Sequence, residues 1–181
     1  MKSSVLATDE IWGLNSSTPS FSPDDQYVMY NGIRNFESDV MLVRVSDKQV
    51  FNITNTGVSE QDPVWSPDGK YIYFVSDRTH PSYPYGMQES KVYRMALQRL
   101  EKPFASDMYD SLFIEKKKDT SKSAKGNGAS ASGEKPVVNI DFRNMMDRLE
   151  RIGPAFGSQR GVLVIKDGNK TRILFLSNHE N

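Results

Sequence analysis

The chain has 181 residues, 37% of them hydrophobic and 10% aromatic, enough for one domain or a small pair with a real core. Its 23 basic residues balance 23 acidic ones, so nucleic acid is not favoured as a partner. The chain has no cysteine, which excludes disulfides and thiolate metal sites, and no apolar run reaches the roughly 20 residues of a membrane helix.

The first stretch, residues 1–17, shows no clear strand pattern, and we interpret it as a linker or an incomplete sheet edge. Its opening letters, MKSSVLATDE, include one lysine and only a short apolar step. This is not the charged start and long apolar segment of a signal peptide.

Two similar hairpins follow. PSFSPDDQYVMYNG occupies residues 19–32, and PVWSPDGKYIYFVSD occupies residues 63–77, 44 positions further on. In each, a Ser-Pro-Asp turn separates an aromatic residue from an apolar run. Proline presets φ for a type I turn, and the aspartate can accept bonds from nearby amides. We therefore expect Gly69 to adopt φ > 0 and close the second hairpin, and Asp25 to do the same in the first at some cost.

The strand after the second turn is apolar on both faces. Tyr71, Tyr73 and Val75 alternate with Ile72 and Phe74. A strand of this kind is covered on both sides, which predicts a sheet stacked between two others.

Further strands continue the repeat. The pattern predicts strands at 40–45 and 49–54 after the first hairpin and at 92–97 after the second. It also predicts an outer strand at 137–142. LVIKDGNKTRILFLSN, at residues 163–178, resembles a third copy, with a turn at Asp167-Gly168 and a buried strand from Ile173 to Leu176.

A repeat near 44 residues with four short strands per unit is typical of a β-propeller blade. The fold class we predict is all-β, a propeller fragment of about two and a half four-stranded antiparallel blades. The alternative is a β-sandwich with two similar hairpins by chance. The expected divisions are an edge or linker at 1–17, a blade at 18–61, a blade at 62–142 with a flexible insertion at about 116–135, and a connecting turn with a partial blade at 143–181.

The insertion and the segment after it differ from the strands. Residues 116–135 contain no apolar side chain larger than alanine, so they cannot offset the entropy of ordering. The lysine run at 116–118 could bind acidic partners or be an ordinary solvated face. The apolar spacing in DFRNMMDRLERI predicts a short helical turn against the sheet edge, with a partner-binding helix as the alternative.

The stretches YFVSDRTHPSYPYG, KVYRMALQRLEKPFASD and KPVVNIDFRNMMDRLERI resemble the closing blades of the second propeller of Tricorn-like serine peptidases. The matching features are Ser76-Asp77-Arg78 with its aromatic loop, the strand leading to Pro103-Phe104, and Ile140-Asp141-Phe142 with Arg148. The resemblance covers roughly residues 19–178. It implies a parent protease whose catalytic core is absent here, and a location in the periplasm or cell envelope, with the cytoplasm as the alternative.

The resemblance implies a non-catalytic role in gating or guiding peptides and in contacts with protein or with other domains of a longer chain. One alternative is a TolB-like scaffold of the cell envelope that binds a protein partner. Another is the propeller of a prolyl-oligopeptidase-type hydrolase. Because two and a half blades cannot close a ring, we expect the end blades to expose apolar faces and the isolated chain to self-associate.

Candidate chemistry is sparse. The two histidines, His80 and His179, lie in a loop and near the C-terminus, and no nucleophile elbow, paired metal ligands or phosphate-binding glycine loop is present. We predict no catalytic residue, metal or cofactor. The candidate contact for a peptide or protein is the loop after the second hairpin, with Arg78, His80, Tyr83 and Tyr85; the alternative is that this loop packs on its own blade.

Overall fold

The computed structural model describes residues 3–8, 18–34, 37–82, 87–99, 135–168 and 170–178. The predicted insertion at 116–135 falls outside these ranges apart from Lys135, as do Tyr83, Tyr85 and most of residues 1–17. The residues on either side of the gap, up to Arg99 and from Lys135, belong to one compact unit.

The described residues form ten β-strands and one short 3-10 helix, Met145–Arg148. The strands are β1 Ser20–Phe21, β2 Tyr27–Arg34, β3 Glu37–Arg44, β4 Val50–Asn52, β5 Glu60–Trp65, β6 Tyr71–Ser76, β7 Lys91–Ala96, β8 Leu149–Arg151, β9 Gln159–Asp167 and β10 Lys170–Ser177. None of the helical structure in the described ranges is long and apolar enough to cross a membrane.

The strands form two four-stranded sheets, in the orders β1-β2-β3-β4 and β5-β6-β7-β8, and a two-stranded hairpin, β9-β10. All pairings are antiparallel and follow the chain from one strand to the next. The predicted fold class is confirmed: the described residues form two four-stranded propeller-type blades and a two-stranded part of a third.

Both Ser-Pro-Asp turns adopt the expected conformation. Gly69 has φ 68° and Asp25 has φ 60°. The serine hydroxyl donates to the aspartate in each turn, from Ser22 to Asp24 Oδ1 at 2.7 Å and from Ser66 to Asp68 Oδ1 at 2.6 Å. Each serine oxygen also accepts the amide of the first residue of the next strand, at 2.9 Å in both turns. The repeated tripeptide therefore builds the same hydrogen-bonded turn twice.

Strand β6 is covered on both faces, as predicted. Ile72 and Phe74 pack into a core shared with Met29, Val40 and Leu42 of the first sheet. On the opposite face, Tyr73 and Val75 pack with Val162 and Val164 of β9. The second sheet is therefore stacked between the first sheet and the hairpin.

Two predictions for the second blade and the hairpin are wrong. The outer strand of the second sheet is β8, Leu149–Arg151, rather than residues 137–142, and it directly follows the predicted helical turn, which is the 3-10 helix. The strand Ile173–Leu176 is not buried: Leu174 and Leu176 are 51% and 64% exposed. Its apolar run resembles that of β6, but only one of its faces is covered within the described part of the chain.

Residues 135–142, which we call the strap, have no regular structure and connect the two sheets at the edge that carries the turns. The Val138 amide donates to Asp24 Oδ2 at 2.9 Å, and the Asp141 amide donates to the Leu97 carbonyl oxygen at 2.9 Å. Phe142 stacks on Phe51 of β4 with ring centroids 3.9 Å apart. These contacts explain why the segment is not a fourth strand: its polar and aromatic groups bind the first sheet as well as the second.

The expectation that both ends expose apolar faces is correct for the hairpin and holds only in part for the first sheet. The face of the first sheet that points away from the second carries Val28, Met41 and Val43, which are buried. Phe21 and Val50, which pair with Val28 and Val43 on the same face, are 58% and 41% exposed.

Candidate functional site

Arg78, a predicted contact residue, extends back toward the start of β5. Its Nη2 atom lies 3.6 Å from Oε1 of Glu60, and its guanidinium carbon lies 5.4 Å from the centroid of the Tyr93 ring. Only 25% of its side chain is exposed. Arg78 therefore belongs to an internal ion pair between strand ends rather than to the rim of the loop.

His80 is placed at the surface. Its side chain is 68% exposed, and Nδ1 lies 3.5 Å from Oε2 of Glu89. The other oxygen of Glu89 accepts from Lys91 Nζ at 2.7 Å. This hydrogen bond, chiefly, lowers the pKa of Glu89, with the charges of Lys91 and His80 acting in the same direction. His80 is thus an exposed partner of a carboxylate that stays ionised at neutral pH.

Of the four predicted contact residues, the structure describes Arg78 and His80, while Tyr83 and Tyr85 lie outside the described ranges. Arg78 and His80 do not share a partner: one pairs with Glu60 and the other with Glu89. The prediction that the aromatic loop contacts a peptide or protein stays a prediction.

A buried acidic cluster, which the sequence reasoning missed, lies between the first two sheets. Glu60, the first residue of β5, is fully buried. Its Oε1 accepts hydroxyl bonds from Thr56 at 2.8 Å and from Ser76 at 3.3 Å. Burial raises the pKa of Glu60 to about 7, against the opposing effects of the Thr56 hydrogen bond and the Arg78 charge. Only the strand register, which sets Glu60 opposite Ser76, brings these groups together.

The first sheet supplies the other acidic group. Asp39 of β3 is buried and accepts from Asn52 Nδ2 at 2.7 Å and from the Thr54 hydroxyl at 3.0 Å. Asn31 of β2 donates to the backbone oxygen of Glu60 at 2.8 Å, so it links the two sheets directly. Both oxygens of Asp39 and Oε1 of Glu60 accept hydrogen bonds, which leaves only Oε2 of Glu60 without a donor in these two carboxyls. Nowhere in the described ranges do three or more His, Cys, Asp or Glu side chains come together as potential metal ligands.

The hairpin β9-β10 presents the largest group of exposed apolar side chains in the described chain. On its outer face, Leu163 lies directly opposite Leu174. Beside this pair are Ile165, 37% exposed, and Leu176. The inner face of the same hairpin is buried against the second sheet, so its two faces differ sharply in exposure although both are apolar. A contact surface is therefore available on the outer face.

The hairpin is held to the second sheet by buried polar groups. Gln159, fully buried at the start of β9, accepts from the Val92 amide at 2.9 Å and donates to the Pro154 carbonyl oxygen at 2.9 Å. The Ser90 hydroxyl donates to the Gln159 carbonyl oxygen, and the Ser90 carbonyl oxygen accepts from the Gln159 amide at 2.8 Å. These bonds position the hairpin so that its outer leucines face away from the second sheet.

Known proteins resemble this chain only weakly. No protein-family model matches the chain, and no curated protein matches it. Among solved structures, the chain is similar to one described as "putative TolB from Agrobacterium tumefaciens", with 24% identity and a TM-score of 0.40 over 50% of this chain. The match spans 28% of that structure's chain, so the present chain corresponds to less than a third of its length.

Proposed function

We propose that this chain is a non-catalytic β-propeller segment whose role is contact with protein, and that the outer face of β9-β10 is its principal contact surface. The observation that carries the proposal is the exposure of Leu163, Leu174 and Leu176, at 52%, 51% and 64%, on one face of a well-formed hairpin. A group of exposed leucines and isoleucines on one face of a sheet is typical of an interaction surface.

The occupant that the stacking favours is a further antiparallel sheet of the same propeller. The face of the second sheet that corresponds to this one carries Tyr73, Val75 and Val92, and it is covered by the hairpin. Repetition of the same packing would place another blade on the hairpin, at the usual spacing of stacked sheets, about 10 Å. A propeller completed in this way is compatible with peptide guidance in a Tricorn-like peptidase and with scaffolding in a TolB-like protein, and neither role requires a peptide to bind this face.

One observation supports a non-catalytic role. The buried carboxyl of Glu60, whose raised pKa would suit a general base, is fully enclosed and bonded by Thr56. A general base must reach the proton that it removes, and an enclosed carboxyl does not meet this requirement.

The test uses the absence of cysteine from the chain. A Leu174→Cys variant is labelled with acrylodan, whose emission shifts to the blue when its surroundings become apolar. It is titrated with a mixed library of unstructured peptides and, separately, with unlabelled chain. We expect a blue shift with the unlabelled chain, which offers folded sheets, and none with the peptides. A matched label at Arg143, whose side chain is 84% exposed, should respond to neither.

A blue shift with the peptides alone would instead assign this face to peptide binding. A second arm incubates the unmodified chain with a fluorogenic peptide library and should show no turnover. Turnover that survives repurification and is lost in a His80→Ala variant would contradict the non-catalytic role.

A further inference from the structure

Three charged groups meet in the interior between the first two sheets. Asp39 and Glu60 are buried, and Arg78 is the cation paired with Glu60. If all three were ionised, the cluster would carry one excess negative charge. An unbalanced buried charge is costly, and the usual response is that one group becomes neutral.

We propose that Glu60 is the proton-binding member of a polar lock between the first two sheets, so that uptake of one proton by the folded chain strengthens their contact. This property goes beyond the proposed contact role and does not depend on it.

The hydrogen-bonding pattern identifies Glu60 as the group that takes the proton. Its Oε1 accepts from Thr56 and Ser76 and faces Arg78, whereas its Oε2 is buried without a hydrogen-bond partner among the described residues. The Asp39 carboxylate, by contrast, accepts two good hydrogen bonds, from Asn52 and Thr54. A carboxylate oxygen with no donor gains least from ionisation, so the proton belongs on Glu60.

The groups that face Glu60 come from several elements. Asp39 of β3 disfavours its ionised form, and Arg78, after β6, favours it; Thr54 and Thr56 contribute neutral hydroxyls. Tyr93 of β7 lies under the Arg78 guanidinium, and burial raises the pKa of this phenol, so it is neutral across the relevant range. The balance of these groups leaves Glu60 with a pKa raised from 4.5 to about 7.

The polar lock spans the interface because Glu60 has hydrogen-bond partners in both sheets, Ser76 in the second and Asn31 in the first. Asn31 Nδ2 of the first sheet donates to the Glu60 backbone oxygen at 2.8 Å and lies 3.4 Å from the Asp39 backbone oxygen. Ionisation of Glu60 therefore places the excess charge beside the strand ends that join the two sheets.

The sign of the effect follows from the direction of the pKa shift. Since the folded pKa of Glu60 is above the unfolded value, the folded chain holds more protons than the unfolded chain between about pH 4.5 and 7. The stabilisation from Glu60 is complete below the pKa that this group has in the unfolded chain. It is lost as the pH rises through the pKa that Glu60 has in the folded chain. From pH 5 to pH 8, linkage predicts an increase of the unfolding equilibrium constant by roughly one to two orders of magnitude from this group.

The experiment measures urea unfolding of the full chain at pH 5, 6, 7 and 8, for the wild type, Glu60→Gln and the control Glu150→Gln. The control removes a carboxylate whose side chain is 51% exposed. We expect Glu60→Gln to abolish most of the decrease in the free energy of unfolding between pH 5 and pH 8. The control Glu150→Gln should retain that decrease. An equal pH dependence in Glu60→Gln and the wild type would overturn the proposal.

The deciding observation of a second measurement is made on the wild-type chain, so it does not depend on whether a variant folds. Carbon-13 NMR of the glutamate carboxyls in the wild-type chain should show one group titrating near neutral pH. Asp39→Asn should lower that midpoint and Arg78→Gln should raise it, because the two residues act on Glu60 with opposite signs. The proposal is wrong if every glutamate carboxyl of the folded wild type titrates near pH 4.5.

Discussion

Val138 lies directly over Gly69, with its Cγ2 atom 2.7 Å from the point that a Cβ atom on Gly69 would occupy. The amide of the same valine donates to Asp24 in the equivalent turn of the first hairpin. One residue of the strap thus contacts both Ser-Pro-Asp turns, although it lies 114 positions from one of them along the chain.

The first prediction concerns Gly69. We expect Gly69→Ala to lower the free energy of unfolding by about 2–3 kcal/mol, because the new Cβ strains a left-handed backbone and also collides with Val138. Urea denaturation measures the loss. The matched control is Gly168→Ala, where φ is 59° and a Cβ would meet nothing within 4 Å, so it reports backbone strain alone. Equal losses at the two glycines would show that the Val138 contact has no energetic effect.

Asp25 occupies the corresponding position of the first turn with a less suitable residue. Asp25→Gly should leave stability unchanged or raise it by up to about 1 kcal/mol, since glycine adopts φ 60° without strain. The substitution also removes the ion pair with Lys135, which is exposed and contributes little. Asp25→Asn is the control, because it removes the charge and keeps a side chain. A lower free energy of unfolding in both variants would mean that the ion pair with Lys135 contributes more to stability than the backbone strain at Asp25 costs.

Gln159 tests the attachment of the hairpin. Gln159→Leu leaves the buried Val92 amide and the half-buried Pro154 carbonyl oxygen without partners, and should lower the free energy of unfolding by about 2–3 kcal/mol. Hydrogen exchange of the Val92 amide should accelerate at the same time. Gln88→Leu makes the same change at an exposed position and should have little effect. Unchanged exchange at Val92 would contradict the assigned role.

The exposed hairpin face predicts self-association of the isolated chain. Light scattering over a dilution series should show the apparent mass of the wild type increasing with concentration. A double variant, Leu163→Lys with Leu174→Lys, should remain monomeric, because the two side chains lie opposite each other at the centre of the face. Lysines at Val5 and Val137, which are also exposed, provide the control for a general change of charge. A wild type that is monomeric at every concentration would show that the outer face needs no cover.

Local features of the fold could be predicted from the sequence because they depend on neighbouring residues. Ser-Pro-Asp-Gly specifies a turn through the fixed φ of proline, the side-chain bonds of aspartate and the freedom of glycine at φ > 0. The apolar residues on both faces of β6 predict a sheet between two layers, which is the observed arrangement. The repeat of these two features along the chain was enough to predict the all-β blade architecture.

The pattern did not reveal which of two similar strands is covered. Ile72–Val75 and Ile173–Leu176 are both continuous apolar runs with Ile and Phe at matching positions, yet the first is buried on both faces and the second on one. Hydropathy records what a strand can bury, whereas its exposure depends on whether a second layer packs against it. Hydropathy also failed to predict the conformation of the strap. Its contacts with Asp24 and Phe51 hold it in an irregular conformation, whereas the pattern predicted an outer strand.

The sequence by itself determined the turns, the alternation within strands and the blade repeat, because these depend on backbone geometry over a few residues. The tertiary structure alone decided the buried cluster of Asp39, Glu60 and Arg78, since its members come from separate strands and meet only through strand register and sheet stacking. The same long-range packing decided that the outer face of β9-β10 stays open. Both candidate properties of this protein, the proton-linked lock and the contact face, therefore arise from how the sheets stack rather than from any motif in the chain.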